Sequence, residues 1–315
     1  MAFYLVTGGA GFIGSHLTEA LVRRGHKVRV ADNLSTGNRG NLSHIPGVEF
    51  FEGDLADMTF ATRAAAGMEY VLHQAAIPSV PRSVKDPIAS NRANIDATLN
   101  VLVAARDAGV KRLVFAGSSS EYGDTPTLPK REDMPSSPLS PYALQKVTGT
   151  EYCQMFTRLY GFETVVIRYF NVFGPRQDPG SPYSGVISLF ATALIDGLQP
   201  TIYGDGEQTR DFTYVANVVD GVLRACTAPN AQGEAINVAC GTRISLNELL
   251  RVMNTVIGTD LRPIYKEARA GDVKDSQADI TKARTLLGYS PLVGLEEGLR
   301  HTLEWCRSQS AAAAR

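Results

Sequence analysis

Short apolar segments alternate with longer amphipathic segments over about the first 170 residues. The apolar segments are typical of buried strands and cover residues 3–6, 27–31, 48–52, 70–73, 111–116 and 164–168. Amphipathic helices are predicted over residues 15–24 and 92–108, and a third from Pro141 onward. Strands that alternate with helices in this way predict the α/β class, with a doubly wound parallel sheet.

The alternation stops after Asn171, and the sequence changes character. Residues 174–185 are rich in Pro, Gly, Ser and Asp, which is typical of a binding loop. Helices are predicted over residues 186–197, 245–257 and 279–287, and strands over residues 201–203 and 234–238. We expect a larger domain of residues 1–170 with a returning segment near 212–240, and a smaller lobe of residues 171–211 and 241–315. Ligands would bind in the cleft between them.

The first predicted strand leads into a glycine turn, which is followed by a helix, a second strand and an acidic residue. Gly8 permits the tight turn, Gly11 lets the backbone approach a pyrophosphate, and Gly14 lets the helix pack closely on the strand. The start of the helix offers free N–H groups to phosphate. Asp32, at the end of the second strand, can accept hydrogen bonds from both ribose hydroxyls and would repel a 2′-phosphate. This unit predicts a Rossmann domain that binds NAD rather than NADP.

Small or polar residues also follow the other predicted strands at their carboxyl ends. Asp54 could meet an adenine amino group there, or could cap the next helix. Ala75 and Ala76 are small enough to let the backbone lie against a dinucleotide. His73 lies in the apolar strand before them, which is typical of a core histidine rather than of a catalyst. Because ligands of parallel sheets bind beyond the carboxyl ends of the strands, these positions predict one functional site.

Residues 140–146 are predicted to begin a helix that carries a tyrosine and a lysine. Ser140 can cap the first free N–H groups, and Pro141 suits the first helical position. Tyr142 and Lys146 then lie one turn apart on the same face. A nearby ammonium lowers the pKa of a phenol, which makes Tyr142 a candidate general base. On this pair alone, the alternative is an ordinary helix with a half-buried tyrosine and a surface lysine.

Composition and charge narrow the classes of partner. The chain has 315 residues and a formal net charge of −1, without a block of Lys and Arg, which argues against a nucleic-acid partner. No apolar run reaches the length of a membrane span, and the first residues lack the pattern of a signal peptide. The four cysteines lack the spacing of a metal site or a disulfide framework. We therefore expect a cytoplasmic protein without a metal site or a membrane partner.

Several motifs occur together in the order that one known family shows. They are Gly8-x-x-Gly11-x-x-Gly14, Ser118, Tyr142-x-x-x-Lys146, and the segments HQAA (73–76), RYFNVFGP (168–175), RDF (210–212) and RAGD (269–272). With them the chain resembles the extended short-chain dehydrogenase/reductases over about residues 3–300. Within this superfamily it is most similar to the UDP-sugar 4-epimerases. The resemblance implies an isomerase with tightly bound NAD, which would epimerise a UDP-hexose through a transient 4-keto sugar.

The resemblance also implies roles for single residues. Tyr142 would be the base, Lys146 would bind the nicotinamide ribose and lower the tyrosine pKa, and Ser118 would bind the 4-oxygen of the sugar. Further cofactor contacts are implied for Phe12, Ile13, Asn33, Gly37, Asp54, Leu55, Ala75, Ala76 and Tyr169, and for Tyr142 itself. Substrate contacts are assigned to Arg82, Ser119, Ser120, Asn171, Arg210, Arg269, Asp272 and Ser276. The helices near 92–108 and 142–160 resemble those that pair in family homodimers, so a homodimer is expected.

Two serines separate this chain from the related 4,6-dehydratases and decarboxylases. Those enzymes carry a Glu two residues before the Tyr-Gly pair, where this chain has Ser120, and the dehydratases carry an Asp where it has Ser119. Without these acids, elimination of the 6-hydroxyl lacks a proton-transfer group. Glu121, one position further on, keeps such an enzyme as an alternative. An NAD-binding protein without catalysis is the alternative of another class.

Ser276 bears on the size of the sugar. UDP-galactose epimerases that exclude N-acetyl groups carry a bulky Tyr at the matching position, seven residues after Arg269 in this numbering. A small side chain leaves room for a 2-acetamido group, which favours UDP-N-acetylglucosamine and UDP-N-acetylgalactosamine; alternatively, Ser276 simply faces solvent. Residues 79–84 and 176–179 also resemble the N-acetylglucosamine branch. Arg82 could instead meet the carboxylate of a uronic acid.

Overall fold

The computed structural model describes residues 1–178, 185–268 and 273–313. The strands of this part, numbered along the chain, are β1 (Phe3–Thr7), β2 (Lys27–Asp32), β3 (Glu49–Glu52), β4 (Tyr70–His73), β5 (Arg112–Ser118), β6 (Glu163–Tyr169), β7 (Val172–Phe173), β8 (Thr201–Tyr203), β9 (Thr209–Arg210), β10 (Thr213–Tyr214), β11 (Ala235–Val238), β12 (Ile244–Ser245) and β13 (Ile264–Lys266). The helices are α1 (Phe12–Arg23), α2 (Met58–Ala65), α3 (Val80–Lys85), α4 (Pro87–Asn91), α5 (Ala97–Asp107), α6 (Pro141–Tyr160), α7 (Val186–Ile195), α8 (Val215–Ala225), α9 (Leu246–Ile257), α10 (Thr281–Leu287) and α11 (Leu295–Ala313).

Seven of the described strands form one parallel sheet, in the order β11-β6-β5-β4-β1-β2-β3. Its register places Thr7 between Ala31 and His73, and Ser118 beside Tyr169. The strand order reverses between β1 and β4, which is the point where doubly wound sheets bind their ligands. The sheet confirms the predicted fold class and brings distant segments of the chain to one edge.

Apolar side chains cover both faces of this sheet. On one face Leu17 of α1 and Val222 of α8 pack onto the strands, and on the other face Phe156 of α6 packs with residues of α2 and α5. A third cluster surrounds α7, α9 and α11, with Leu249 and Leu299 at its centre. Burial of these side chains stabilises the strands that carry the site. The division into a larger domain and a smaller lobe stays a prediction.

Two helices begin earlier than the sequence pattern predicts. α1 starts at Phe12 rather than near residue 15, because Gly11 is its N-cap and the helix continues directly from the glycine turn. The helix predicted over residues 92–108 is preceded by α4, and a π-helical turn at Arg92–Asp96 joins α4 to α5. The Asp86 side chain caps α4 by accepting a hydrogen bond from the Ala89 N–H (3.0 Å).

The second half of the chain returns to the sheet through β11. This strand pairs in parallel with β6, which confirms the strand predicted over residues 234–238. Helices α7, α9 and α10 and strand β8 also lie where the pattern predicts them. Residues 179–184 of the predicted binding loop lie outside the described residues. Over the described ranges, no helix is both long enough and apolar enough to span a membrane.

Candidate active site

A cavity of about 990 Å³ lies at the carboxyl edge of the sheet. Most of the predicted site residues line it: Gly8, Gly11, Phe12, Ile13, Gly14, Asp32, Asn33, Gly37, Asp54, Leu55, Ala75, Ala76, Arg82, Ser118, Ser119, Tyr142, Lys146, Tyr169 and Asn171. Ser120, Arg210 and Ser276 are described residues that do not line it. Arg269 and Asp272 lie outside the described residues, so their predicted contacts stay predictions.

The glycine turn forms one end of the cavity and has no room for side chains. Gly8 has a φ of +65°, and a Cβ there would lie 2.7 Å from the backbone nitrogen of Ala75. A Cβ on Gly14 would lie 2.1 Å from the Gly8 carbonyl oxygen, so the helix packs directly on the turn. Phe12 and Ile13, the first residues of α1, line the cavity. Their end of the helix offers unpaired N–H groups and a positive dipole to an anion.

The Asp32 carboxylate lies beside this anion cradle at the end of β2. One oxygen accepts a hydrogen bond from the Ala10 N–H (3.0 Å) and the other from the Leu34 N–H (2.8 Å). Burial raises the pKa of Asp32, and these two hydrogen bonds lower it. Each carboxylate oxygen keeps a second lone pair, with which it can accept a ribose hydroxyl. A Cβ on Gly37 would lie 3.0 Å from both oxygens, so the glycine keeps this space clear.

Gln74 carries an orphaned buried amide in the same cavity. The Tyr169 hydroxyl donates to its Oε1 atom (2.8 Å), and its Nε2 atom is buried without a partner among the described residues. A buried donor of this kind needs an acceptor. A dinucleotide has phosphates that can bind the N-terminus of α1 and a ribose diol that can donate to Asp32. It can also offer an acceptor to the Gln74 Nε2 atom, so the residues present fit NAD.

Helix α6 brings the tyrosine and lysine to the opposite end of the cavity. The Ser140 side chain caps α6 by accepting from the Ala143 N–H (3.1 Å), and Pro141 occupies its first turn, as predicted. Lys146 is buried, and its ammonium donates to the Ala116 carbonyl oxygen (2.7 Å). The alternative of a surface lysine is therefore wrong. Burial lowers the pKa of Lys146 to about 8.

Loss of solvent contact on burial raises the pKa of Tyr142 to about 12. A hydrogen bond from the Ser118 side chain acts in the opposite direction, and the charge of Glu121 raises the value further. The Lys146 ammonium lies 5.9 Å from the Tyr142 ring centroid. The predicted lowering of the Tyr142 pKa by Lys146 stays a prediction, since Ser118 is the group that lowers it here.

Ser120 lies behind Ser118 rather than in the cavity. Its hydroxyl donates to the Ser118 Oγ atom (2.9 Å), and its backbone N–H donates to the same atom (3.2 Å). Ser120 therefore orients the Ser118 hydroxyl toward Tyr142. The direct substrate contact predicted for Ser120 stays a prediction, since Ser120 lies in the 3₁₀ turn of residues 119–122 and is not among the residues that line the cavity.

The structure decides whether His73 is a core residue and whether Asp54 caps a helix. His73 is buried between the hydroxyls of Thr7 (2.7 Å) and Thr98 (3.0 Å), and burial lowers its pKa to about 3. It is a neutral core histidine, as predicted. Asp54 does not cap α2, because Asp57 does so, and the Asp54 side chain instead lines the cavity.

The residues predicted to bind UDP do not all line the same cavity. Asn171 lines the cavity, adopts a left-handed φ of 34° and donates to the Asp211 carbonyl oxygen (3.1 Å). Arg210 lines a second cavity of about 230 Å³ and donates to the Lys274 carbonyl oxygen (2.9 Å). Ser276 is 9% exposed, so the alternative of a solvent-facing residue is wrong.

Comparison with known proteins agrees with this geometry. Residues 4–239 match the profile of the family described as "NAD dependent epimerase/dehydratase family". The chain belongs to this family. Its cofactor is accordingly NAD, and the cradle, Asp32 and Gln74 are the parts of this family member that fit it.

Three similar proteins illustrate the range of this family. The UDP-glucose 4-epimerase of Mycolicibacterium smegmatis is 40% identical, over 97% of this chain and 99% of the relative. The UDP-N-acetylglucosamine 4-epimerase of Methanobrevibacter ruminantium, solved in complex with UDP-N-acetylmuramic acid, superimposes with a TM-score of 0.94 at 39% identity, over 98% and 99% of the two chains. The UDP-glucuronic acid 4-epimerase of Bacillus cereus, solved with UDP-glucuronic acid and NAD, gives a TM-score of 0.90 at 31% identity, over 98% and 99%.

One wall of the cavity in this epimerase/dehydratase family member was missed by the sequence pattern. Helices α3 and α4 and their N-cap residues line this wall. The sequence pattern predicted only Arg82 as a contact there, and it missed Ser79, Lys85, Asp86, Ala89 and Ser90. Asn94, in the π-helical turn, holds the adjoining loop by accepting from the Ile77 N–H (2.7 Å). The Ser79 cap and Pro81 could have indicated the short helix α3.

Proposed function

We propose that this chain catalyses the NAD-dependent 4-epimerisation of a UDP-hexose. The observation that carries the proposal is one continuous cavity, with the glycine turn and Asp32 at one end and Ser118, Tyr142 and Lys146 at the other. A cofactor in the cradle would reach the side chains that handle a proton. The similarity to proteins named UDP-sugar 4-epimerases supports this reaction class.

The residues of the chain divide the work of this reaction. The glycine turn and Asp32 would hold NAD, which would supply the hydride chemistry at C4 of the sugar. Tyr142 would accept the proton of the 4-hydroxyl and later give it back. Ser118 would redirect its one O–H from Tyr142 to the 4-oxygen of a bound sugar, while Ser120 donates to the Ser118 Oγ atom. The Lys146 ammonium would favour the phenolate form of Tyr142.

The position of Glu121 argues against a 4,6-dehydratase. Its side chain is 0% exposed and is not among the residues that line the cavity. Its two oxygens accept hydrogen bonds from the Ser118 N–H (2.9 Å), Thr150 (3.0 Å) and Arg168 (2.9 Å). A carboxylate held in this way does not reach a 6-hydroxyl in the cavity. With Ser119 and Ser120 at the matching positions, the elimination lacks its acid.

The substrate that we favour is the pair UDP-N-acetylglucosamine and UDP-N-acetylgalactosamine, with the non-acetylated pair also turned over. The support from the small side chain of Ser276 comes from the family resemblance; in the structure Ser276 is buried and does not line the large cavity. The backbone N–H of Ser276 donates to the Thr209 carbonyl oxygen (3.0 Å), which fixes its segment next to Arg210. The likeness to the Methanobrevibacter ruminantium enzyme supports the same class.

Replacing Ser276 with Tyr is expected to lower kcat/KM for UDP-N-acetylglucosamine by roughly 10- to 200-fold. The kcat/KM of the variant for UDP-glucose should stay within about threefold of the parent value, because a hydroxyl at C2 needs less room than an acetamido group. Coupled assays with both substrates give the ratio. Ser308→Tyr, at an exposed position of α11, is the control. Equal turnover of acetylated sugar by the Ser276→Tyr variant and the parent would contradict the pocket.

One observation favours a second candidate, a UDP-uronate 4-epimerase. Arg82 of α3 lines the cavity, where its guanidinium could form a forked pair with a C6 carboxylate. The Bacillus cereus structure shows that a protein of similar fold binds UDP-glucuronic acid. The neutral sugars remain the first choice, because Arg82 is equally suited to a phosphate group.

NMR of the purified protein without added NAD tests the proposal. UDP-N-acetylglucosamine, UDP-glucose and UDP-glucuronate are supplied separately, and we expect the 4-epimer of at least one. Epimerisation of UDP-glucuronate alone would favour the second candidate. A 4-keto-6-deoxy product would contradict an epimerase, and retained NAD without turnover would favour a non-catalytic NAD-binding protein.

We propose further that the chain forms a homodimer through α5 and α6. Leu144 and Leu159 of α6 are 53% and 66% exposed and lie on nearly the same side of the helix. Leu159→Glu is expected to shift the mass in sedimentation from twice 33.9 kDa toward 33.9 kDa. Leu198→Glu, at an exposed position after α7, should leave the mass unchanged. A monomeric parent protein would contradict the proposal.

A further inference from the structure

One buried carboxylate joins the three elements that surround the predicted base. Glu121 lies in the 3₁₀ turn that follows β5, and its Oε1 atom accepts from the Ser118 N–H (2.9 Å). Its Oε2 atom accepts from the Thr150 hydroxyl on α6 (3.0 Å) and from the Arg168 Nε atom on β6 (2.9 Å). Side chains three residues apart eclipse one another in a 3₁₀ turn, which places Glu121 beside Ser118.

Each of these contacts is next to a side chain of the proposed mechanism. Ser118 itself bonds the phenol of Tyr142. Thr150 follows Lys146 by one helical turn on the same face of α6. Arg168 immediately precedes Tyr169, whose hydroxyl holds Gln74. The single carboxylate therefore sets the distances between the end of β5, the end of β6 and the catalytic face of α6.

The hydrogen-bond partners of this carboxylate favour its ionised form. All three contacts donate to Glu121, and a carboxylate is the form that only accepts. Arg168 is 5% exposed and is itself held, because its Nη1 atom donates to the Tyr122 hydroxyl (2.9 Å). Tyr122 in turn donates to Asn237 of β11 (2.7 Å). A Cβ on Gly117 would lie 3.1 Å from the Glu121 Oε1 atom, so the glycine leaves space for the carboxylate.

We propose that Glu121 is a positioning residue of this active site, which holds Ser118 at the end of β5 in place against the face of α6 that carries Tyr142 and Lys146. The proposal rests on the proposed 4-epimerase function. Glu121 lies outside the cavity and acts through the residues that it holds, so it does not touch the substrate.

The charge of Glu121 acts on the two titrating groups in the same direction. It raises the pKa of Tyr142 and the pKa of Lys146. The charged and titratable groups that face Glu121 are Arg168 from β6, and Tyr142, Lys146 and Cys153 from α6. Burial raises the pKa of Glu121 itself, and Arg168 opposes this effect. Removing the charge should therefore lower the pKa of both Tyr142 and Lys146.

Glu121→Gln and Glu121→Asp separate the geometry from the charge. Gln keeps the length but removes the charge, so kcat should fall by roughly 10- to 100-fold with KM within about threefold. Both limbs of its kcat–pH profile should move to lower pH, since Tyr142 and Lys146 lose a neighbouring anion. Asp keeps the charge but is too short for all three contacts, so its kcat should fall while both limbs stay in place.

Glu163→Gln is the matched control. Glu163 pairs with Arg112 at the amino ends of the same two strands, β5 and β6, with a shortest N–O distance of 2.7 Å. This variant loses an ion pair between the same strands but lies far from the cavity edge. Its kcat should stay within about twofold of the parent value. A loss as large as that of Glu121→Gln would show a general effect of strand pairing and would overturn the proposal.

A titration that needs no turnover separates this proposal from the proposed function. The tyrosines of the NAD-loaded protein are labelled with ¹³C, and Tyr142→Phe assigns the Tyr142 signal. Glu121→Gln should lower the Tyr142 pKa in this titration, whether or not a UDP-sugar is turned over. An unchanged pKa, or parent-like kcat and pH limbs in Glu121→Gln, would overturn the proposal. If Glu121→Gln does not fold, parent-like kcat in Glu121→Asp would overturn it.

Discussion

Replacing Tyr142 with Phe is expected to lower kcat by roughly 10²- to 10⁴-fold, the usual size of a lost general acid–base group. The phenol oxygen is the atom that Ser118 bonds, and Phe removes it without changing the shape of the ring. The Tyr142 backbone N–H donates to the Ser83 hydroxyl (3.1 Å), and this contact does not depend on the side chain. Single-turnover and steady-state assays on the purified variant measure the loss.

Tyr160→Phe controls for the general effect of removing a tyrosine hydroxyl from α6. Tyr160 ends the same helix and is 54% exposed, so its variant should keep kcat within about twofold of the parent. Retained NAD should be the same in both variants, because neither change reaches the glycine turn. If the Tyr142→Phe variant kept more than about a tenth of the parent kcat, Tyr142 would not be the base.

Replacing Gly14 with Ala is expected to remove the bound cofactor and to destabilise the fold. The added Cβ would lie 2.1 Å from the Gly8 carbonyl oxygen and 2.8 Å from the Gly9 Cα atom, and both are backbone atoms that cannot rotate away. Overpacking of this kind costs about 1–3 kcal/mol of unfolding free energy. The turn must also move away from the start of α1, which opens the anion cradle. Denaturant unfolding and the NAD content of the purified protein measure the two effects.

Gly294→Ala is the control for the change of Gly to Ala. Within the described ranges, no heavy atom other than those of Gly294 and its chain neighbours lies within 4 Å of a Cβ built there, so this variant should unfold like the parent and keep its NAD. Parent-like stability and NAD content in the Gly14→Ala variant would show that the close packing of α1 on the turn is not needed to hold the cofactor.

The cofactor end of the site could be predicted because its chemistry is local in the chain. Gly8, Gly14 and Asp32 belong to one strand–turn–helix–strand unit, and their spacing already implies the turn. Ser118 and Tyr142 are separated along the chain, but the parallel order of the strands brings strand ends to one edge. The alternation of strands and helices predicts that Ser118 lies at this edge, whereas the pairing of Ser118 with Tyr142 was implied by the family resemblance.

The orientation of side chains after β5 could not be predicted in this way. A shift of one residue in a 3₁₀ turn rotates a side chain by a third of a turn, which separates Ser119 in the cavity from Ser120 and Glu121 behind it. The sequence shows that Glu121 is near the site but does not show its partners. Those partners, Thr150 and Arg168, lie on other elements and are identified by the fold alone.

The substrate end depends on contacts between distant segments, which hydrophobic periodicity does not report. Ser276 follows Asp275, whose carboxylate accepts from the Thr209 hydroxyl (2.5 Å), and this contact places the segment beside β9. Helices α3 and α4 are too short to give a clear periodic pattern, so their cavity wall was missed. The cap residues Ser79 and Asp86 are the signal that marks them.

The central claim is that C4 of the sugar is oxidised and then reduced again within one cavity. The most direct test uses a UDP-hexose that the protein converts in the NMR assay above. This sugar is labelled with deuterium at C4 and supplied without added NAD. We expect by NMR that both epimers carry deuterium at C4 and that none appears in the solvent. Deuterium at C6, or its loss to water, would contradict the claim and would point to elimination or to proton exchange instead.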